Sequence, residues 1–172
     1  MGGGVGVVTC GSFYFEGGTI SGNTAPYGGG VATFDMYKSI VEAAGATGSI
    51  SIEAWGERYN VPARFEMSGG AITGNHAKQA DDTSAGCGGG LYVASNTCSI
   101  TGGDISNNAA DRQGGGIYVS STPYVLQMSN ALVTGNTATL LGGGMWLCPT
   151  GDVEVAVTNG AAITGNEAVA DG

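Results

Sequence analysis

Positive charge is scarce in this sequence. Five Lys and Arg stand against fourteen Asp and Glu, a net charge of −9 with a pI near 4.1. A field of that sign repels phosphate backbones and anionic headgroups, which excludes nucleic acid as a partner. Long apolar runs are absent too. None reaches the ~18 residues a spanning helix needs, so no membrane insertion of this segment is expected. Met1 runs directly into Gly2, Gly3 and Gly4, not into a basic-then-apolar leader, so any export signal is expected outside this segment. Proline occurs four times, and His76 is the single histidine. No nucleophile or acid accompanies it in its motif, which argues against a catalytic triad or a histidine metal site. The four cysteines, Cys10, Cys87, Cys98 and Cys148, contain no C-x-x-C pair, which argues against zinc-ribbon and dithiol chemistry.

Glycine fills the space those residues leave, 34 of 172 positions. It follows no G-X-Y period, which excludes collagen, and 42% hydrophobic residues exclude simple disorder. The glycines instead punctuate short β-branched runs, the pattern of turns between strands. Triple glycines begin at Gly2, Gly28, Gly88, Gly114 and Gly142, giving spacings of 26, 60, 26 and 28 residues. A second phrase, GG-x-[IV]-x-G-N-x-A, returns between them. A period of this size with alternation inside each run signifies a solenoid in which each repeat is one turn. Helical repeats would need long 3.6-period segments, which glycine at this density destabilises. Three short strands per turn, at ~3.3 Å per residue, are expected in an all-β parallel helix of five or six coils. The whole of 1–172 is expected to form one domain.

Alternation assigns the facing. Val31/Thr33, Leu91/Val93, Ile117/Val119 and Met145/Leu147 should point into the bore, as should Phe13/Phe15, Phe65/Met67, Cys98/Ile100 and Leu126/Met128. Ile20, Ile72, Ile105, Val133 and Ile163 form a third inward column. One column is polar: Asn23, Asn75, Asn108, Asn136 and Asn166. Stacked at the strand spacing, their amides are expected to bond up and down as a ladder. Residues 35–63 interrupt the period and are expected to be an inserted hairpin or enlarged coil. An inward Cys98 would act as a small hydrophobe, and a disulfide to Cys87 is an open alternative. The last unit, GNEAVADG, joined to GGGVGVV, reproduces the internal phrase GNTATLLGGGMWL. A segment of a longer array and a unit that stacks head to tail are both expected from that match.

Two surfaces invite chemistry. Tyr92, Tyr118 and Trp146 occupy the outward middle position after three successive glycine triplets. Such a stripe could stack on sugar rings or on itself. On the loop edge, Asp81, Asp82 and Asp111 gather oxygen ligands of the kind Ca²⁺ takes, beside Arg112. Solvated loop charge accounts for the same residues. No other cofactor is suggested, and no catalytic residue is assigned.

The phrases GGTISGNTAPYGGGVAT, GGAITGNHA and GGGIYV resemble the repeats of bacterial right-handed parallel β-helix surface proteins. These include adhesin-like proteins of gut bacteria and the chlamydial polymorphic outer-membrane proteins. The resemblance covers nearly all the chain outside 35–63. It departs from the pattern in the long second loop, at Asn130-Ala131 and by an extra residue before Ile163. It implies a single-stranded, pectin-lyase-like coil and an extracellular or cell-surface location. It also implies a structural or adhesive role toward a host or bacterial surface glycan or protein. Polysaccharide lyases share the coil, so a carbohydrate-active enzyme is the alternative, and a self-assembling fibre unit is a third.

Overall fold

The computed structural model describes residues 2–35, 61–80, 84–120, 124–150 and 152–169. The first layer contains β1 (Val5–Val8), β2 (Ser12–Phe15), β3 (Thr19–Ser21) and β4 (Thr24–Ala25). The second has β5 (Val31–Phe34), β6 (Arg64–Met67), β7 (Ala71–Thr73) and β8 (His76–Ala77). The third has β9 (Leu91–Ala94), β10 (Thr97–Ile100), β11 (Gly103–Ser106) and β12 (Ala109–Ala110). The fourth has β13 (Ile117–Val119), β14 (Val125–Ser129), β15 (Ala131–Thr134) and β16 (Thr137–Ala138). The last has β17 (Met145–Leu147), β18 (Glu154–Thr158), β19 (Ala162–Thr164) and β20 (Glu167–Ala168).

Corresponding strands stack in parallel into four five-stranded sheets, here A to D in the order the chain visits them. The fold is a parallel β-solenoid. Five layers are separated by four axial steps, so the chain makes about four turns, not the five or six coils expected. Glycine triplets count layers, and layers outnumber steps by one. Each layer also has four strands where three were expected. The fourth is only two residues long, too short for alternation to register in the sequence.

The inward columns hold in register. Val31, Leu91, Ile117 and Met145 are paired in sheet A, and Phe13, Phe65, Cys98 and Leu126 in sheet B. Ile20, Ile72, Ile105, Val133 and Ile163 line sheet C. In the middle layers these side chains are fully buried, each contributing ~1.5–3 kcal/mol. Burial pushes the Cys98 thiol up to about 12, so it stays neutral in the bore beside Thr33. Cys87 lies elsewhere, near Arg112 and Cys148, and its sulfur donates to the Ser84 carbonyl. Both are free thiols, so the Cys87–Cys98 disulfide does not form.

At the corner between sheets C and D the asparagines form a directional ladder. Each Nδ2 donates to the Oδ1 of the next layer: Asn23 to Asn75 at 2.9 Å, Asn75 to Asn108 at 3.0 Å, Asn108 to Asn136 and Asn136 to Asn166 at 2.9 Å. The same Oδ1 accepts the backbone N–H of the preceding asparagine. The second Nδ2 hydrogen turns back, from Asn108 to the Ile72 carbonyl and from Asn136 to that of Ile105, both 2.9 Å. Asn108 is thereby satisfied on both sides while fully buried. The residue before each ladder asparagine is left-handed. Gly22, Gly74, Gly135 and Gly165 fill that position, and in the third layer Asn107 does so at φ 54°, as asparagine can.

The glycine triplets belong to the same device. A Cβ on Gly90 would lie 2.9 Å from Asn108 Nδ2, and one on Gly116 would lie 2.9 Å from Asn136 Nδ2. The backbone of sheet A reaches across the bore to the amide, leaving no room for a side chain.

Where 35–63 leaves and rejoins the coil, the buried Asp35 joins the two ends. Its Oδ1 accepts the Ala63 N–H at 2.7 Å, and its Oδ2 accepts the Asn96 N–H at 3.0 Å. The hairpin or enlarged coil expected within 35–63 falls mostly outside the described residues. No helix of the described residues is long and apolar enough to cross a membrane.

Replacing Asn108 by alanine takes away the oxygen that pairs the Asn75 donors and the amide that pairs the Ile72 carbonyl, leaves the Asn136 oxygen with only the residue-108 backbone N–H, and should cost ~1–3 kcal/mol. A chemical-denaturation midpoint equal to the parent's would remove the ladder as a source of stability. Asp35→Asn puts an amide donor against one of the two N–H groups, of Ala63 and Asn96, that the carboxylate accepts and should cost a similar ~1–3 kcal/mol. The check is thermal unfolding of this variant beside Asp152→Asn, an exposed control expected to stay within ~0.5 kcal/mol.

Candidate functional site

Tyr92, Tyr118 and Trp146 are register partners on adjacent strands of sheet A, as their spacing implies. Their exposure differs from expectation. Tyr92 and Tyr118 are each only 9% exposed, with rings stacked at 5.1 Å and 4°. Phe34 stacks on Tyr92 at 5.3 Å, and Tyr27 meets it edge-on at 5.3 Å. The Tyr92 hydroxyl donates to Ser120 Oγ at 3.0 Å. Burial pushes this phenol up to about 12 and moves Tyr118 further in the same direction. The flat ring faces are thus spent on one another and on Phe34. Tyr27 and Phe34 come from glycine-triplet loops and strand ends, positions that a column-by-column reading of the sequence does not connect.

On the loop edge, Asp81 and Asp82 lie outside the described residues. Asp111 is described, and its carboxylate is engaged. Oδ1 meets His76 Nε2 at 2.6 Å, and Oδ2 accepts the Gln79 N–H at 2.8 Å. Burial acts to raise this carboxyl, but the Gln79 N–H, His76 and Lys78 outweigh it and hold it below its ordinary value. His76 therefore has an acid partner that its own motif lacks. His76 pairs in register with Ala109, and two residues further on the third layer presents Asp111. The pair ties the second layer to the third. Among the described residues, no three His, Cys, Asp or Glu side chains gather as a metal site.

The outer face of sheet B is open to solvent. Alternation that sends Phe65, Cys98 and Leu126 inward sends Glu66, Ser99 and Gln127 outward, in register with one another. Arg64 and Glu66 form an ion pair at 3.1 Å that leaves this face locally neutral. Two shallow depressions adjoin along it, about 180 and 240 Å³, sharing Ser99 and Gln127 as a common ridge. The first runs from Arg64 and Glu66 past Asn96 and Thr97; the second continues past Thr101 and Ser129 to Thr158. Tyr14, 53% exposed, stands at the first-layer end of the same column. Periodicity marks these residues as outward, but nothing in their identities separates this face from ordinary solvated surface.

No family model matches the chain, and comparison with curated proteins and with solved structures gave no match.

The Asp111 tie should be visible in acid. Its folded carboxyl lies below the unfolded value of about 4, so its stabilisation is complete above that value and disappears as pH falls through the lower folded one. Half-exposed pairs of this kind contribute a few tenths to ~1 kcal/mol. The unfolding midpoint of Asp111→Asn should sit below the parent's at pH 7, and the gap should close toward pH 2. A gap that persists unchanged in acid would assign the difference to something other than the carboxylate.

Proposed function

We propose that this chain is a structural and adhesive segment of a bacterial cell-surface or secreted protein, and that it holds neutral glycans along the outer face of sheet B. The observation that carries this reading is the pair of adjoining depressions, lined by hydroxyl and amide side chains on three successive strands of a stiff coil, with the Arg64–Glu66 ion pair on the strand before them. An extended sugar chain offers hydroxyls at a regular spacing, and Ser99, Thr101, Gln127 and Ser129 offer complementary donors and acceptors. The exposed Tyr14 ring adds a flat surface for a sugar face at one end. The net charge of −9 favours neutral over uronic-acid polymers.

The same charge weighs against the alternative, a lyase or hydrolase acting on acidic polysaccharide at the Asp81–Arg112 edge. Asp111 there is occupied by His76 and Gln79 in a contact that joins layers. A surface location and a glycan or protein partner are supported by the likeness of the repeats to those of exported β-helix proteins.

An oligosaccharide array probed with the 172-residue chain should show retention of neutral glycans. Gln127→Ala combined with Ser99→Ala should weaken that retention about tenfold or more, the loss of one to two hydrogen bonds, while the melting temperature stays put. Tyr92→Phe should leave it unchanged. Equal retention by parent and double variant would reject this face as the binding surface.

A further inference from the structure

We propose that the two ends of the solenoid are complementary, and that a second copy of this chain docks head to tail on the last layer. This does not depend on the glycan reading, because none of the sheet B face is used. Three sets of groups point the same way along the axis.

The first is the asparagine ladder. From Asn23 to Asn136, the backbone N–H and one Nδ2 hydrogen of each rung donate toward the following layer. Among the described residues, Asn166 has no asparagine beyond it to receive its N–H, and the Asn23 oxygen has no asparagine before it to fill it. One end shows a backbone donor, the Asn166 amide nitrogen being turned to the Val133 and Thr164 carbonyls, and the other an acceptor.

The second is the glycine corner, where polarity is identical. Gly3 donates to the Gly28 carbonyl, Gly29 to Gly88, Gly89 to Gly114, and Gly115 to Gly142, at 3.0 to 3.1 Å. Gly143 is the next donor in that series, and the Gly2 carbonyl of a second copy occupies the position of the next acceptor.

The third is apolar. Leu147, Val157 and Ile163 are 39%, 42% and 42% exposed, whereas their register partners one layer earlier, Val119, Met128 and Val133, are buried. The same three columns begin with Val7, Phe15 and Ile20. Stacking continues each column with an aliphatic or aromatic partner. Acidic side chains do not collide there, because the columns of Glu154 and Glu167 begin with Ser12 and Thr24.

Net charge opposes any self-association, so docking should strengthen as salt screens it. In sedimentation velocity the weight-average coefficient of the 172-residue chain should rise with concentration, and more steeply at 0.5 M than at 0.05 M NaCl. Ile163→Glu alters an already exposed position and should lower the association constant at least about tenfold, the loss of one buried aliphatic side chain. Gln127→Ala, on sheet B, should leave it unchanged.

Direction is tested by oxidising mixtures of single-cysteine additions against the parent as baseline. Thr164→Cys mixed with Ser21→Cys should give a new cross-linked dimer, since residues 164 and 21 share a column. A chain that stays monomeric at every concentration and salt, or one whose association survives Ile163→Glu, would overturn the proposal. So would cross-linking of Thr164→Cys to itself, which would show tail-to-tail contact.

Discussion

A buried amide that must bond on every side, in a corner too narrow for a methyl group, is the constraint from which the rest of this molecule follows. The Asn108 oxygen takes two N–H donors from the layer before, and its nitrogen gives one hydrogen forward and one back. That geometry is met only at one axial spacing and one lateral position, so each rung sets the height and rotation of its neighbours. Glycine at the end of each triplet lets the opposite wall close on the amide. Water has no room there, and the polar column costs nothing in unpaired groups: among the described residues no buried side-chain polar atom lacks a partner. The two repeating phrases of the sequence are therefore two halves of one contact, which is why they recur together.

The four sheets divide the remaining work unequally. Sheet A carries a second apolar layer on its outside, where Tyr27, Phe34, Tyr92 and Tyr118 pack ring against ring. Sheet D is held down by the alanine column, and His76 on β8 meets Asp111 just past β12. Sheet B is left with hydroxyl and amide side chains and an ion pair, open to solvent. Aromatic residues usually advertise a sugar-binding surface, but here the best-aligned pair is consumed by packing. The less conspicuous polar face of sheet B has room on it.

Much of this was legible because the side-chain period of two and the return of glycine and asparagine are independent signals that agree. The inward columns and the ladder followed from them directly. Asn107 is left-handed where the other layers have glycine, as asparagine can be. What escaped notice depends on distances the chain reveals only when folded. Two-residue strands such as His76–Ala77 are too short to show alternation. Asp35 looks like any loop acid until Ala63 and Asn96 present their N–H groups to it. His76 seems partnerless until stacking offsets bring Asp111 beside it. Burial of Tyr92 comes from Tyr27 and Phe34, which lie outside the triplet pattern that identified the stripe.

The carboxylate of Asp35 has one further implication. By gripping the returning chain at Ala63 and the next layer at Asn96, it makes closure of the coil independent of what is threaded between. Over evolutionary time the span from 36 to 60 could be lengthened, shortened or exchanged for foreign sequence without disturbing the stacking on either side. The solenoid would then serve as a chassis with one interchangeable cassette, and variation among related chains would be concentrated there.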